Sequence, residues 1–478
     1  MSTFWNNLDV RTGRILLLAL AAVALLGGLN FCELESGDET RTAGIAAEMY
    51  LEGDYLVPRL NGTPFLEYPP LYYWSVAAAC SVFGIDDFAA KLPSALAAIG
   101  CVMLLFEFAG TLRLPVWARF LSGFFLLTGA QFFSDARVCR VDMMLAFFML
   151  LAVFAFHSLT LARSGGGRVG FLALFALGLS GGLLTKGLIG IGLPGLVAAA
   201  WLLAGDGMNR RISWRSYLIL GVATVLALVP AGVWYGLLLH RGGRQMFETA
   251  LFVNNFGRFS GTQGDHIEPF YYYLTKLPTL FFPWLPLLPF ALWAALRNLR
   301  RTKDSGLLLV VVFLLAPFFF LCAASSKRTV YLLPLYAPCA LLCGWYLTVL
   351  PERFRRFAQN KLERIPHVSG RTVGAAVLLV GLALGGIGTG LSLLAAPENS
   401  LRPLFAACAR LEKQGVRVVL LNAPERTQGA AFFYLRHRVD VVAPDSVPAA
   451  PGEYGVLRRK SASVSGERFA DSHILVKR

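Results

Sequence analysis

Apolar residues come in runs of about twenty, parted by short polar stretches, and this rhythm governs the chain as far as residue 395. The runs fall at 14–31, 88–110, 116–133, 141–161, 169–185, 188–204, 216–239, 274–296, 306–324, 329–349 and 373–395. A helix needs about 20 apolar residues to cross a bilayer core. The pattern therefore predicts about eleven membrane-spanning helices, and up to thirteen if shorter apolar stretches cross. Residues 69–84 (PPLYYWSVAAACSVFG) are short and Pro-led, and read as a helix lying at the interface. After residue 395 the period changes. Residues 396–478 predict helix 401–414, strand 417–421, helix 428–436, strand 439–443 and strands near 454–458 and 473–477. The expected fold class is an all-α polytopic membrane protein over 1–395 with a small C-terminal soluble α/β domain over 396–478. The α/β domain reads by default as a packing or substrate-gating module.

Composition agrees. Of 478 residues, 56% are hydrophobic and 15% charged, against about 25% charged in soluble domains, and the mean hydropathy is +0.58. A cytosolic globular enzyme, a disordered chain and a secreted disulfide scaffold are excluded. The net charge of +15 does not point to nucleic acid. Its basic residues sit in alternate short loops, at Arg113 and Arg119, Arg163 and Arg168, Arg210 to Arg215, Arg297 to Lys303 and Arg353 to Arg371, as the positive-inside rule requires. The N-terminus, with Arg11 and Arg14, then faces the cytoplasm, and the first apolar run reads as an uncleaved span. The eight cysteines show neither a zinc spacing nor a disulfide framework.

This topology gathers the reactive side chains on the opposite face. The first loop, 32–87, is acidic there, the 240–273 loop carries Arg258 and His266, and Asp142, Lys186, Lys327 and Arg328 stand at span ends. In Ser36-Gly37-Asp38-Glu39 the Ser-x-x-Glu pattern predicts a capping box and a helix running to Glu52, closed by Gly53. Asp38 and Glu39 project about 100° apart on it, so only one of them can face a site. Simple capping explains the motif equally well. Glu67, beside Pro69-Pro70, needs a cation or a partner at the membrane surface, and Arg59 is the simple one. Arg140 and Asp142 suit a structural ion pair or a phosphate-binding arginine. Outward cations at Lys186, Arg258, Lys327 and Arg328, with Tyr331 nearby, suit an anionic lipid phosphate as well as ordinary snorkelling. His266, next to Asp265, is a candidate metal ligand together with Glu67.

The order of these motifs resembles the bacterial lipid A aminoarabinose transferases and the dolichyl-phosphate-mannose protein mannosyltransferase-like enzymes. The resemblance rests on Asp38-Glu39, Gly53-Asp54 with Val57-Pro58, Asn61-Gly62-Thr63-Pro64 and Glu67 to Pro70. It continues through Arg140 and Asp142, Leu184 to Gly187, Gly257 to Phe259, His266 before Phe270 to Tyr273, and Ser326-Lys327 with Tyr331 to Pro334. It covers roughly residues 33–345. It implies the all-helical GT-C membrane glycosyltransferase fold and an inner-membrane enzyme that moves a sugar from a polyprenyl-phosphate donor to a glycolipid or protein acceptor, with inversion. It implies that Asp38 is the catalytic carboxylate, with Glu39 and Asp142 the other acidic candidates. It also implies that Glu67 and His266 hold a divalent metal ion, zinc or similar. Where the family reads Glu-Lys-Pro this chain reads Glu67-Tyr68-Pro69, which leaves the phosphate to Lys186, Arg258, Lys327, Arg328, Arg140 and Tyr331. The rival class, a lipid or sugar transporter, predicts charged residues near the bilayer midplane. The spans carry them only towards their ends, as at Lys91 and Glu107.

Overall fold

The computed structural model describes residues 8–210, 212–253, 267–350, 370–443, 454–458, 467–468 and 473–477. Its contacts divide the chain into two compact units. One comprises Met1–Leu25, Leu96–Ala136 and Val141–Leu384, and the other Leu26–Ala95, Arg137–Arg140 and Gly385–Arg478.

Among the described residues nine helices are long and apolar enough to cross a membrane, or ten if one bent pair counts as a span. The protein is a multi-pass membrane protein. The difference from eleven lies in two predicted spans of the first unit. Run 116–133 forms the helix Val116–Leu127 and a separate turn of helix, Ala130–Asp135. Twelve residues rise about 18 Å, short of a bilayer core. Run 274–296 breaks into Tyr272–Leu280 and Leu285–Thr302, bent by 118°. The two breaks meet. The Ala130 N–H donates to the Phe282 carbonyl at 2.9 Å, and Trp284 Nε1–H donates to Thr128 Oγ1 at 2.8 Å. Broken backbone at membrane depth is tolerated where protein satisfies it, and apolar periodicity registers none of this. Leu71–Phe83, predicted at the interface, is a helix of 13 residues, again too short to span.

In this first unit, Val141–Leu161 and Gly165–Lys186 form an antiparallel hairpin over a three-residue connection. Gly178 lets the helices close up: a methyl group on it would lie 2.7 Å from the Ala152 nitrogen. Small residues serve this purpose in lipid, where no hydrophobic force drives helices together. The hairpin brings Asp142, in the first turn of one helix, beside Lys186, in the last turn of the other. Each charge suits its helix dipole.

In the second unit the C-terminal segment folds much as predicted. The helices Arg402–Lys413 and Glu425–Leu435 accompany a five-stranded sheet ordered Val441–Val442, Val418–Leu421, Tyr454–Arg458, His473–Lys477 and Glu467–Arg468. Neighbours are parallel across the first three strands and antiparallel thereafter. Leu404, Phe405, Cys408, Leu420 and Val456 form its core. The segment shares this unit with the first loop, and its Glu425–Leu435 helix packs on Gly37–Glu52. The two backbones touch through glycine. A methyl group on Gly44 would lie 2.7 Å from Cα of Gly429, and one on Gly429 would lie 2.7 Å from Cα of Arg41. Overpacking of this kind costs about 1–3 kcal/mol. Gly44→Ala should therefore lower the thermal unfolding midpoint of the purified protein. Gly386→Ala, where a methyl group meets nothing within 4 Å, should not. Equal midpoints for the two variants would refute the close-packing account.

Candidate active site

The Gly37–Glu52 helix begins as its sequence predicts. Ser36 Oγ accepts from the Glu39 N–H at 3.3 Å, the Glu39 carboxylate accepts from the Ser36 N–H at 3.1 Å, and Gly53 closes the helix at φ 71°. Glu39 does more than cap. It is 2% exposed, and its carboxylate also accepts from the N–H groups of Glu35 at 3.0 Å and Cys139 at 3.1 Å. Lys91 Nζ lies 3.6 Å away and donates to the Glu33 carbonyl at 2.6 Å. Burial raises the pKa of Glu39, but Lys91 and these N–H donors outweigh it, so the group is held below the ordinary carboxylate value. Its stabilising effect is present above that ordinary value and is lost as pH falls through the folded-state pKa. Sequence reasoning left Glu39 open as a catalytic carboxylate. The structure occupies it with structural partners instead.

Asp38 faces a different set. Arg41 Nη2 donates to Asp38 Oδ1 at 2.9 Å, and Arg140 Nη2 lies 3.5 Å from Asp38 Oδ2. The same Arg41 Nη2 is 3.3 Å from Glu67 Oε2, and Arg41 Nη1 is 2.9 Å from Glu425 Oε2. Beneath the guanidinium lies the Phe65 ring, 5.3 Å to its centroid. Burial works against the Arg41 charge, but Glu67, Asp38 and Glu425 more than offset it and push its pKa above the ordinary arginine value. Arg140 is placed through its backbone, whose carbonyl accepts from Ser94 Oγ at 3.2 Å, with Tyr72 OH 2.7 Å from that hydroxyl. Arg137 anchors the same stretch by donating to the Gly27 carbonyl and Thr389 Oγ1, both at 3.0 Å.

Two simple pairings expected from sequence are replaced. Glu67 pairs with Arg41, while Arg59 lies 3.6 Å from Asp54. The Arg140-x-Asp142 motif divides, with Arg140 on Asp38 and Asp142 on Lys186. Sequence reasoning missed Arg41. Its i,i+3 spacing from Asp38 was the available signal. It also gave Lys91 no role, although a lysine inside an apolar run demands a counter-charge.

In the transmembrane unit, Lys186 is ion-paired with Asp142 and stands 4.6 Å above the centre of the Tyr331 ring. These three side chains line one pocket with Leu145, Val330 and Pro334. Lys327 is 3% exposed and donates to the carbonyls of Glu268, at 2.8 Å, and Ala324. It thereby closes the C-terminus of the Ser305–Ala323 helix and ties it to the chain entering the Tyr272–Leu280 helix. The predicted 240–273 loop is helical at its start, since the helix from Trp214 runs on to Glu248. Arg328 is half-buried beside it. Arg258 and His266 lie outside the described residues. Among the described residues no three His, Cys, Asp or Glu side chains gather as metal ligands, and Glu67 faces Arg41. The described donors thus do not make up a metal site.

Comparison with known proteins shows what the chain is similar to. Residues 43–237 match the family described as dolichyl-phosphate-mannose-protein mannosyltransferase. Relatives include the undecaprenyl phosphate-alpha-4-amino-4-deoxy-L-arabinose arabinosyl transferase of Edwardsiella ictaluri, 28% identical over 77% of this chain and 63% of its own length. The second such enzyme of Sodalis glossinidius is 29% identical over 69% of this chain and 58% of its own. The chain is similar to the aminoarabinose transferases over most of its length. It spans about three fifths of the length of these relatives. The crystal structure of ArnT from Cupriavidus metallidurans bound to undecaprenyl phosphate shares the GT-C fold, with a TM-score of 0.75 at 22% identity over 97% of both chains.

If Glu39 is the buried half of an ion pair, Glu39→Gln leaves Lys91 buried without its counter-charge, a loss of about 3–5 kcal/mol. The variant should unfold well below the wild type, and Glu39→Gln with Lys91→Met should recover part of the difference. Wild-type thermal stability for Glu39→Gln alone would refute the assignment.

Proposed function

We propose that this GT-C protein transfers a sugar, of the aminopentose class named for its relatives, from a polyprenyl-phosphate donor to a glycolipid acceptor on the periplasmic face of the inner membrane. The observation that carries the reading is Asp38, a partly exposed carboxylate at a helix N-terminus, set by Arg41 and Arg140 in a chain similar to these transferases. The acceptor oxygen attacks the anomeric carbon as the bond from that carbon to the phosphate oxygen breaks, and the electron pair leaves with the polyprenyl phosphate. Direct displacement inverts the anomeric centre. Asp38 takes the proton of a hydroxyl acceptor. Arg140 stabilises the charge that develops on the departing phosphate. No step is assigned to a metal ion. The transporter reading has no observation in its favour.

Asp38→Asn leaves the Ser36–Glu39 capping box untouched but removes the basicity. Transfer from radiolabelled undecaprenyl-phosphate sugar should fall by roughly 10²–10⁴-fold, the usual contribution of a general base, with donor binding little changed. Near-normal turnover would remove Asp38 from the mechanism. The basic loops further support a cytoplasmic N-terminus and a periplasmic C-terminal domain. A C-terminal alkaline phosphatase fusion should be active and a C-terminal fluorescent protein that folds only in the cytosol should be dark. The reverse pair of results would move Asp38 to the cytoplasm and end this reading.

A further inference from the structure

Glu425 opens the Glu425–Leu435 helix of the C-terminal α/β segment, 358 residues beyond Glu67, and reaches Arg41 Nη1 at 2.9 Å. We propose that Glu425 is a positioning residue for the transfer reaction: it fixes the Arg41 guanidinium so that the opposite nitrogen meets Asp38. The proposal rests on the reading that Asp38 acts in transfer.

A guanidinium is a rigid planar fork. Once Nη1 is held on Glu425, the direction of Nη2 is fixed, and Nη2 is the atom 2.9 Å from Asp38 and 3.3 Å from Glu67. The Phe65 ring defines the plane of the fork from below. Nor is Glu425 a loosely placed surface group. Next to it, the Arg426 carbonyl accepts from Thr40 Oγ1 at 3.0 Å, and Arg426 Nη2 donates to the Glu35 carbonyl at 2.8 Å. One turn on, Gly429 presses against the backbone of Thr40 and Arg41. A helix N-terminus also favours the carboxylate. The Glu425 side chain is 55% exposed, and such a pair contributes little to stability. Its loss should therefore appear in turnover and leave folding intact.

Glu425→Ala should lower kcat by roughly two- to five-fold, the range of a partly exposed pair, while donor KM and the unfolding midpoint stay at wild type. In an Arg41→Lys background the same change should have no further effect, because an ammonium has no second fork nitrogen to aim. Asp440→Asn, which removes the exposed Arg417–Asp440 pair of the same segment, should leave kcat unchanged. A cryo-EM structure of Glu425→Ala should show Arg41 turned away from Asp38. Wild-type kcat for Glu425→Ala, equal losses in both backgrounds, or Arg41 still seated on Asp38 would each overturn the proposal. Failure of the functional reading would look different: the wild type itself would not transfer sugar, and the position of Arg41 in the variant structure would still decide the role of Glu425.

Discussion

A carboxylate removed from water must be fully partnered, and Glu39 is the place where this protein meets that demand. Its two oxygens collect the N–H groups of Glu35, Ser36 and Cys139, together with Lys91. Three separate pieces of chain are thereby held to one group: the N-terminus of the Gly37–Glu52 helix, the start of Asp87–Thr111 and the stretch 137–140. Asp38 lies next to Glu39 in sequence, and Arg140 next to Cys139. The buried charge thus sets the distance between an acid and a base that belong to different parts of the chain. Replacing such a pair by apolar residues is often neutral for stability. The geometry it imposes on its neighbours is what an apolar pair would not supply.

The second constraint is closeness of backbones. Gly44 and Gly429 let two helices of one unit touch main chain to main chain, and Gly178 does the same for the hairpin of the other. In the first case the contact delivers Glu425 to Arg41. In the second it delivers Lys186 to Asp142. Asp142, Lys186 and Glu425 sit at helix ends whose dipoles favour their charges.

Much of this was legible in one dimension. Ser36, Glu39 and Gly53 announced the helix and both its ends because capping is local: a hydroxyl reaches an N–H three residues on, and glycine accepts the left-handed turn. The strands and helices of 401–477 followed from alternation and turn residues. The bends at 128–130 and 281–284 were not legible, because each is satisfied by the other across more than 150 residues. Nor was the partner of Glu67, since the nearby Arg59 was taken up by Asp54 and Arg41 lies a helix away.

The sequence by itself determined the membrane class of the protein, its capped helix Gly37–Glu52 and the residue types available for chemistry. These depend on hydropathy and short spacings, which are properties of the chain. Only the tertiary structure decided which of two adjacent carboxylates is enclosed by backbone N–H groups and Lys91 and which meets two arginines. Asp38 and Glu39 differ little in local signal, and their fates differ because Cys139 and Lys91 converge on one of them and Arg41 and Arg140 on the other. Charge pairing acts through space at a few ångströms, and no local pattern states which distant residue will occupy that space.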